Sequence, residues 1–211
     1  MSDDASAAAT PQATPRAAPS QQAMPRPPLN GSLIRITPVH DCAMITLRGD
    51  LDSPAIVAAL RDGLGVAVPA PRRIAQGDAG VAAWMSPDEL LLMPGQGGAV
   101  AALADLRARL AGQHFLAEDV SDARAVFDLT GEDAALREVL AKLSPADLSP
   151  AAFGPGDICR TRLAQAAAGI WCPAPGHLRL VCFRSVAVYM SGLLENAAAA
   201  GGQVDFYPRG G

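Results

Sequence analysis

The sequence predicts an α+β fold: mostly antiparallel sheets with helices packed on their faces, built from an internally duplicated unit. Two observations carry this. Short apolar strand pairs alternate with amphipathic helices along the chain, and two half-length segments repeat the same order of elements. ITLRGD (45–50) stands against FDLTGE (127–132), with Ile45, Leu47 and Gly49 matching Phe127, Leu129 and Gly131. Each strand runs through a glycine turn into a helix, then irregular chain, then one of the two tryptophans, Trp84 or Trp171, beside a prolyl turn. LLLM (90–93) or LRLV (178–181) follows, and a helix closes each segment. A spacing of about 85 residues is too long for a solenoid repeat and two copies are too few for one, so a duplicated domain fits. The predicted organisation is a disordered Ala/Pro-rich tail over 1–31, then one domain over 32–208 with pseudo-repeats of about 32–114 and 115–208.

In the tail, Pro11, Pro15, Pro19, Pro25, Pro27 and Pro28 block helix and ladder alike. Apolar alternation in SLIRITP (32–38) and CAMITLRG (42–49), parted by His40 and Asp41, predicts a β-hairpin. Ser53 is placed to cap the next helix, with Pro54 at its first position, Ile56, Val57, Leu60 and Leu64 on one face and Gly65 as C-cap. Strands near 80–85 and 89–93 flank the turn Ser86-Pro87-Asp88. A helix over about 99–111 turns Val100, Leu103, Leu106 and Leu110 inward.

The second half opens with strands near 115–119 and 124–129. A helix over 132–143 follows, with Thr130 as expected N-cap and Leu136, Val139, Leu140 and Leu143 on one face. Strands near 158–164, 167–171 and 178–183 lead to a helix expected to be capped by Ser185, with Val186, Tyr189, Met190 and Leu193 inward. A last short strand is expected near 203–207.

A formal net charge of −4 and a pI of about 5.3 provide no electrostatic footprint for nucleic acid or an anionic membrane. No apolar run approaches the roughly 18 residues of a membrane span. Cys42, Cys159, Cys172 and Cys182 form no Cys-x-x-Cys pair and read as reduced, mostly buried thiols of a cytoplasmic protein.

Chemistry-bearing patterns are sparse. No phosphate-binding glycine motif or nucleophile elbow is present, and Gly95, Gly97 and Gly98 read as a loop. His40 with Cys42, or His177 with Cys172 and Cys182, lacks structural-zinc spacing; both histidines are expected in turns. In DVSDAR (119–124), Asp119 and Asp122 could tune one another for acid–base work. The favoured reading is a tight connection in which Ser121 and Asp122 bond the turn backbone and Arg124 pairs with an acid. Arg160, Arg162 and Arg184 could form a patch for an anionic ligand or acidic partner, but the favoured reading is a solvated face. Trp84 and Trp171 read as core or interface residues rather than stacking platforms.

The strings LRGD (47–50), WMSPDELLLMP (84–94), DVSDARAVFDLTG (119–131), LREVLAKLSPADLSPAAF (136–153), TRLAQ (161–165) and FRSVAVYMSGLLENA (183–197) together resemble the gamma subunit of heterotetrameric sarcosine oxidase. That family is related to the folate-binding domain of the glycine-cleavage T protein, whose fold contains a similar duplication. The resemblance implies a subunit of an oxidoreductase complex of one-carbon metabolism. The complex demethylates sarcosine to glycine with oxygen and tetrahydrofolate and yields hydrogen peroxide. FAD, FMN, NAD, tetrahydrofolate and zinc are expected in the alpha, beta and delta partners and none in this chain, to which the resemblance assigns no catalytic, cofactor-binding or metal residue.

The chain is therefore expected to be a non-catalytic structural subunit docked on the folate-binding region of alpha. One alternative is a gamma-like subunit of a related N-methyl amino acid dehydrogenase. Another is an independent folate-binding protein of the T-protein-related family, whose repair-type members carry a Lys-Gly-Cys-type motif. Here the only lysine, Lys142, is followed by Leu143 and Ser144.

Overall fold

The computed structural model describes residues 32–95 and 97–207. The tail expected over 1–31 and residue 208 of the expected domain lie outside them. The first half contains β1 (Arg35–Val39), β2 (Ile45–Gly49), α1 (Pro54–Leu64), β3 (Ile74–Gln76), β4 (Gly80–Ser86), β5 (Glu89–Pro94) and α2 (Gly98–Arg109). The second contains β6 (Phe115–Asp119), β7 (Arg124–Thr130), α3 (Asp133–Ala141), β8 (Ile158–Leu163), β9 (Ala166–Ala174), β10 (His177–Phe183) and α4 (Ala187–Ala197).

The strands form two five-stranded antiparallel sheets, ordered β1-β7-β10-β9-β8 and β6-β2-β5-β4-β3. The two orders correspond strand for strand, with one exchange: each half gives its first strand to the other half's sheet. The expected β1–β2 hairpin does not form. Ile36 of β1 pairs with Leu129 of β7, and Leu47 of β2 pairs with Ala117 of β6. Alternation had specified which face each strand buries, and that specification does not name the neighbour. The five residues His40–Met44 reach up to about 17 Å when extended, enough to cross the roughly 10 Å between packed sheets.

The apolar side chains sort into three layers. Ile45, Leu47, Leu90 and Leu92 face α1 and α2, where Ile56, Leu60 and Leu106 are buried. Phe127, Leu129, Leu178 and Leu180 face α3 and α4 against Leu136, Leu140, Met190 and Leu194. Between the sheets lie Met44, Ala83, Leu91, Met93, Val126, Ile158, Trp171 and Val181. The order is therefore helices, sheet, sheet, helices. A strand buried on both faces loses its polar alternation, and β5 is accordingly buried at every position.

Local signals account for some boundaries and miss others. The Ser53 side chain accepts from the Ile56 amide, Pro54 begins α1, and Gly65 ends it in the left-handed conformation at φ 65°. Thr130 and Ser185 do not cap. α3 starts after Glu132 and α4 after Val186, neither with a side-chain cap, because Thr130 completes β7 and Ser185 lies in a 3-10 turn over Arg184–Val186. Residues 203–207 form no strand. Val57, Val100 and Tyr189 are exposed, and Leu194 rather than Leu193 is buried in α4.

The tryptophans are not equivalent. Trp84 stands opposite Leu90, whereas Trp171 stands opposite Arg179. Leu90 and Leu178 both face the helices, so the two indoles are one residue out of step in their ladders: Trp171 lies between the sheets, whereas Trp84, at the irregularity before Ser86, packs against both the helix-side layer and the layer between the sheets. All four cysteines are free, Cys172 and Cys182 buried and the other two partly so.

Candidate functional site

The apolar layer between the sheets runs out at one margin, and polar side chains take over on the same inward-facing positions. In β2, Ile45 and Leu47 face the helices, so Thr46 and Arg48 face the other sheet. There Glu89 accepts from Thr46 Oγ1 at 3.0 Å and from Arg48 Nη2 at 2.7 Å. Opposite them, Arg124 shares its face of β7 with Val126, Arg160 shares its face of β8 with Ile158, and Phe183 shares its face of β10 with Val181. A groove of about 550 Å³ results, with Trp84 and Met85 at the end of β4 in its wall.

Three arginines and one glutamate line this groove. Arg48 and Thr46 already satisfy Glu89. Arg160 donates to the Met85 carbonyl at 2.9 Å, tying sheet to sheet. Arg124 has no acid. Its guanidinium lies 4.0 Å from the centre of the Phe183 ring, and it makes no hydrogen bond or ion pair among the described residues. Burial pushes its pKa below the usual arginine value; Glu89 opposes this and the nearby charge of Arg160 adds to it. The expected acid pairing of Arg124 is therefore replaced by stacking on Phe183.

The rest of DVSDAR is a crossing point. The Asp119 carboxylate accepts from the backbone N–H and the hydroxyl of Ser121 at 2.9 and 2.6 Å. Ser121 Oγ also accepts from the Met44 amide at 2.9 Å, where the β1–β2 and β6–β7 connections pass each other. Asp119, not Asp122, organises this turn. Arg184 donates to the carbonyls of Ser121 and Asp122 at 3.3 and 3.4 Å and lines a second groove, of about 370 Å³, with His40, Asp41 and Cys42. The three arginines singled out together thus separate: Arg160 lines the first groove, Arg184 the second, and Arg162 neither.

His177 lies in β10 rather than in a turn. Asp128 accepts from Arg179 Nε at 2.6 Å and lies 2.9 Å from His177 Nε2. Burial alone would raise the Asp128 pKa, but these two partners outweigh it and hold the carboxyl below its ordinary value. Burial pushes the Cys182 thiol up to about 11, and the other three thiols are raised for the same first reason. At neutral pH these are thiols rather than nucleophilic thiolates. Among the described residues no three His, Cys, Asp or Glu side chains are grouped to hold a metal ion, and no helix is long and apolar enough to cross a membrane.

What sequence reasoning missed is the convergence of Arg48, Glu89, Arg124, Arg160 and Phe183. Charged residues at strand ends read as solvated, and only the pairing of the two sheets reveals that they share an inward face.

Comparison with known proteins gives this geometry a context. The model of the sarcosine oxidase gamma subunit family matches residues 48–200, which include Arg48, Trp84, Met85, Glu89, Arg124, Arg160 and Phe183 of the first groove. Sarcosine oxidase subunit gamma of Arthrobacter sp. is 37% identical over 58% of this chain and 58% of its own length, and that of Corynebacterium sp. strain P-1 is 36% identical over 54% and 55%. The chain thus spans little more than half the length of these curated relatives. Among solved structures, a chain of heterotetrameric sarcosine oxidase from Corynebacterium sp. U-96 superposes with a TM-score of 0.71 at 28% identity, covering 82% of this chain and 87% of that one. Aminomethyltransferase T of the glycine cleavage system from Bartonella henselae shares the fold, with a TM-score of 0.54 at 16% identity over 75% of this chain and 44% of its own. The family match covers most of the chain, from α1 through α4 with strands β3 to β10, and on that ground the chain belongs to the sarcosine oxidase gamma subunit family.

Proposed function

We propose that this chain is a non-catalytic structural subunit of a heterotetrameric, cytoplasmic sarcosine oxidase. In this reading it assembles with alpha, beta and delta subunits that carry FAD, FMN, NAD, tetrahydrofolate and zinc. The assembled enzyme converts sarcosine to glycine, depends on tetrahydrofolate for its one-carbon product, and releases hydrogen peroxide. The observation that carries the reading is the likeness to a chain of a heterotetrameric sarcosine oxidase across 82% of this chain and 87% of that one. Its chemistry is consistent with a supporting role: the thiols are held protonated, Glu89 of the groove is engaged by Arg48, and Asp119 of the crossing point is engaged by the turn backbone. Exposed Phe183, Val188 and Tyr189 follow one another along the end of β10 and α4 and would be covered in a permanent complex, whose interfaces are larger and more apolar than transient ones.

The test is gentle purification from the native host through a tag on this chain, with visible spectrum and subunit masses recorded. A yellow flavoprotein containing three further chains and oxidising sarcosine is the expected result. A colourless single chain, or a deletion strain whose remaining subunits form a complete and fully active oxidase, would overturn the reading.

A further inference from the structure

The groove between the sheets has a feature that a supporting subunit does not need for its own fold. Arg124 is half-buried and laid on Phe183, with no acid to receive it among the described residues. Arg160 stands near enough to depress it further. Glu89, the one acid in the groove, is already engaged by Arg48 and Thr46. Counting Arg48, Arg124 and Arg160 against Glu89 leaves the groove cationic, in a chain whose formal net charge is −4. A local inversion of sign on an acidic protein repels most acidic surfaces and admits one acidic group at one place.

We infer that this groove is the docking socket for an acidic segment of a partner subunit, in which one carboxylate reaches Arg124 and Arg160 while a neighbouring apolar side chain covers Phe183 and Trp84. The argument for a carboxylate is the fork of guanidinium donors left open on Arg124. The argument for an apolar neighbour is Phe183, 49% exposed beside that charge. A protein segment fits because a groove of about 550 Å³, open to solvent and walled by both sheets, admits two or three side chains at once. An arginine and aromatic pair at the centre of such a patch is the usual make-up of an interface anchor.

This inference rests on the subunit reading, and its test separates the two. The full-length chain is co-produced with the other three subunits, the tag being placed on one of them, and retention of this chain is measured against salt. The variants are Arg124→Glu, Arg160→Glu, their combination, and Arg162→Glu as a control on the same strand outside the groove. Arg124→Gln is added in case charge reversal unfolds the chain, and each isolated variant is checked for cooperative thermal unfolding. The expected result is a loss of retention of at least tenfold for the folded double variant, a smaller loss for Arg124→Gln, and none for Arg162→Glu. If the wild-type chain is retained and the folded double variant is retained equally, the socket is wrong and the subunit reading stands. If the wild-type chain is not retained at all, both fail.

A second measurement uses the isolated chain with 3-phenylpropionate as probe and its amide as control. A saturable change in fluorescence is assigned to Trp84, in the groove wall, by its loss in Trp84→Phe, which leaves the buried Trp171 in place. Saturation by the acid alone, abolished in Arg124→Gln, supports the carboxylate chemistry. Saturation together with unimpaired assembly of the double variant would show a small-molecule site instead and overturn the docking proposal.

Discussion

Arg137 shows how much one side chain can hold. It is 4% exposed on α3, pairs with Asp133 at 2.6 Å, and donates to the carbonyls of Leu148 and Phe153. Both carbonyls belong to the irregular chain before β8, so one guanidinium pins that chain to the helix. Replacing Arg137 with alanine leaves those acceptors buried without donors and should cost about 2–4 kcal/mol, read as a lowered midpoint in urea unfolding. Lysine should recover only part, since an ammonium cannot serve the same fork; a loss below about 1 kcal/mol for alanine would count against this role. Asp128 gives a pH dependence with a definite sign. Its folded pKa is held below the ordinary 3.8 despite burial, by Arg179 and His177. A carboxyl depressed on folding adds stability above its unfolded pKa and loses it as pH falls through the folded value. The stability difference between wild type and Asp128→Asn should therefore shrink as pH falls below about 5. A difference that grew on acidification would refute the assignment. The carbonyls that Arg137 reaches and the Asp128–Arg179 pair were not legible in the sequence, because a charged residue in a helix or strand carries no mark of what lies across the fold. Arg124 was misread for the same reason.

At the scale of elements, the sequence is most legible where a residue acts on its own neighbours. Ser53, Pro54 and Gly65 delimit α1 because capping, a fixed φ and a left-handed turn are local physics. The β4 and β5 strands were equally plain, their turn Ser86-Pro87-Asp88 falling where expected. Faces were legible from alternation, and partners were not: the alternation of SLIRITP marked a strand with one apolar face, but Ile36 of that strand packs beneath α3 and α4 rather than beside β2. The same limit explains the tryptophans, matched by residue type and yet one step apart in the ladder. Two glycines separate local from packing control by the same substitution. A Cβ at Gly77 would lie 2.3 Å from the Gly65 carbonyl oxygen, whereas one at Gly192 in α4 meets nothing within 4 Å. Gly77→Ala should therefore destabilise by about 1–3 kcal/mol, since backbone must shift. Gly192→Ala should stabilise by about 0.5–1 kcal/mol through helix propensity and a less flexible unfolded chain. Thermal unfolding of both variants checks the pair, and equal signs would mean that the packing described around Gly77 is wrong.

At the scale of the molecule, the exchange of β1 and β6 makes each half dependent on the other. The sheet containing β7 to β10 has β1 as its edge beside β7, and the sheet containing β2 to β5 has β6 in the corresponding place. The two connections are tied where they pass, by the Val120 amide to the Met44 carbonyl at 2.9 Å and by Ser121 to the Met44 amide. The inter-sheet layer adds Met44, Leu91 and Met93 from one half and Val126, Ile158, Trp171 and Val181 from the other. A half produced alone would lack the strand beside β2 or β7 and leave that layer bare to water, together a large share of the marginal stability of a domain. The duplicated arrangement thus behaves as an intramolecular strand swap, in which two similar units have become one folding unit. Chains covering 32–114 and 115–207, produced separately, should each lack a cooperative thermal transition. Mixed in equal amounts they should recover one, with a midpoint that rises with concentration because the folded state is now bimolecular. A half that unfolds cooperatively alone, with a midpoint unchanged by its counterpart, would show that the exchanged strands are dispensable and that the two units fold independently.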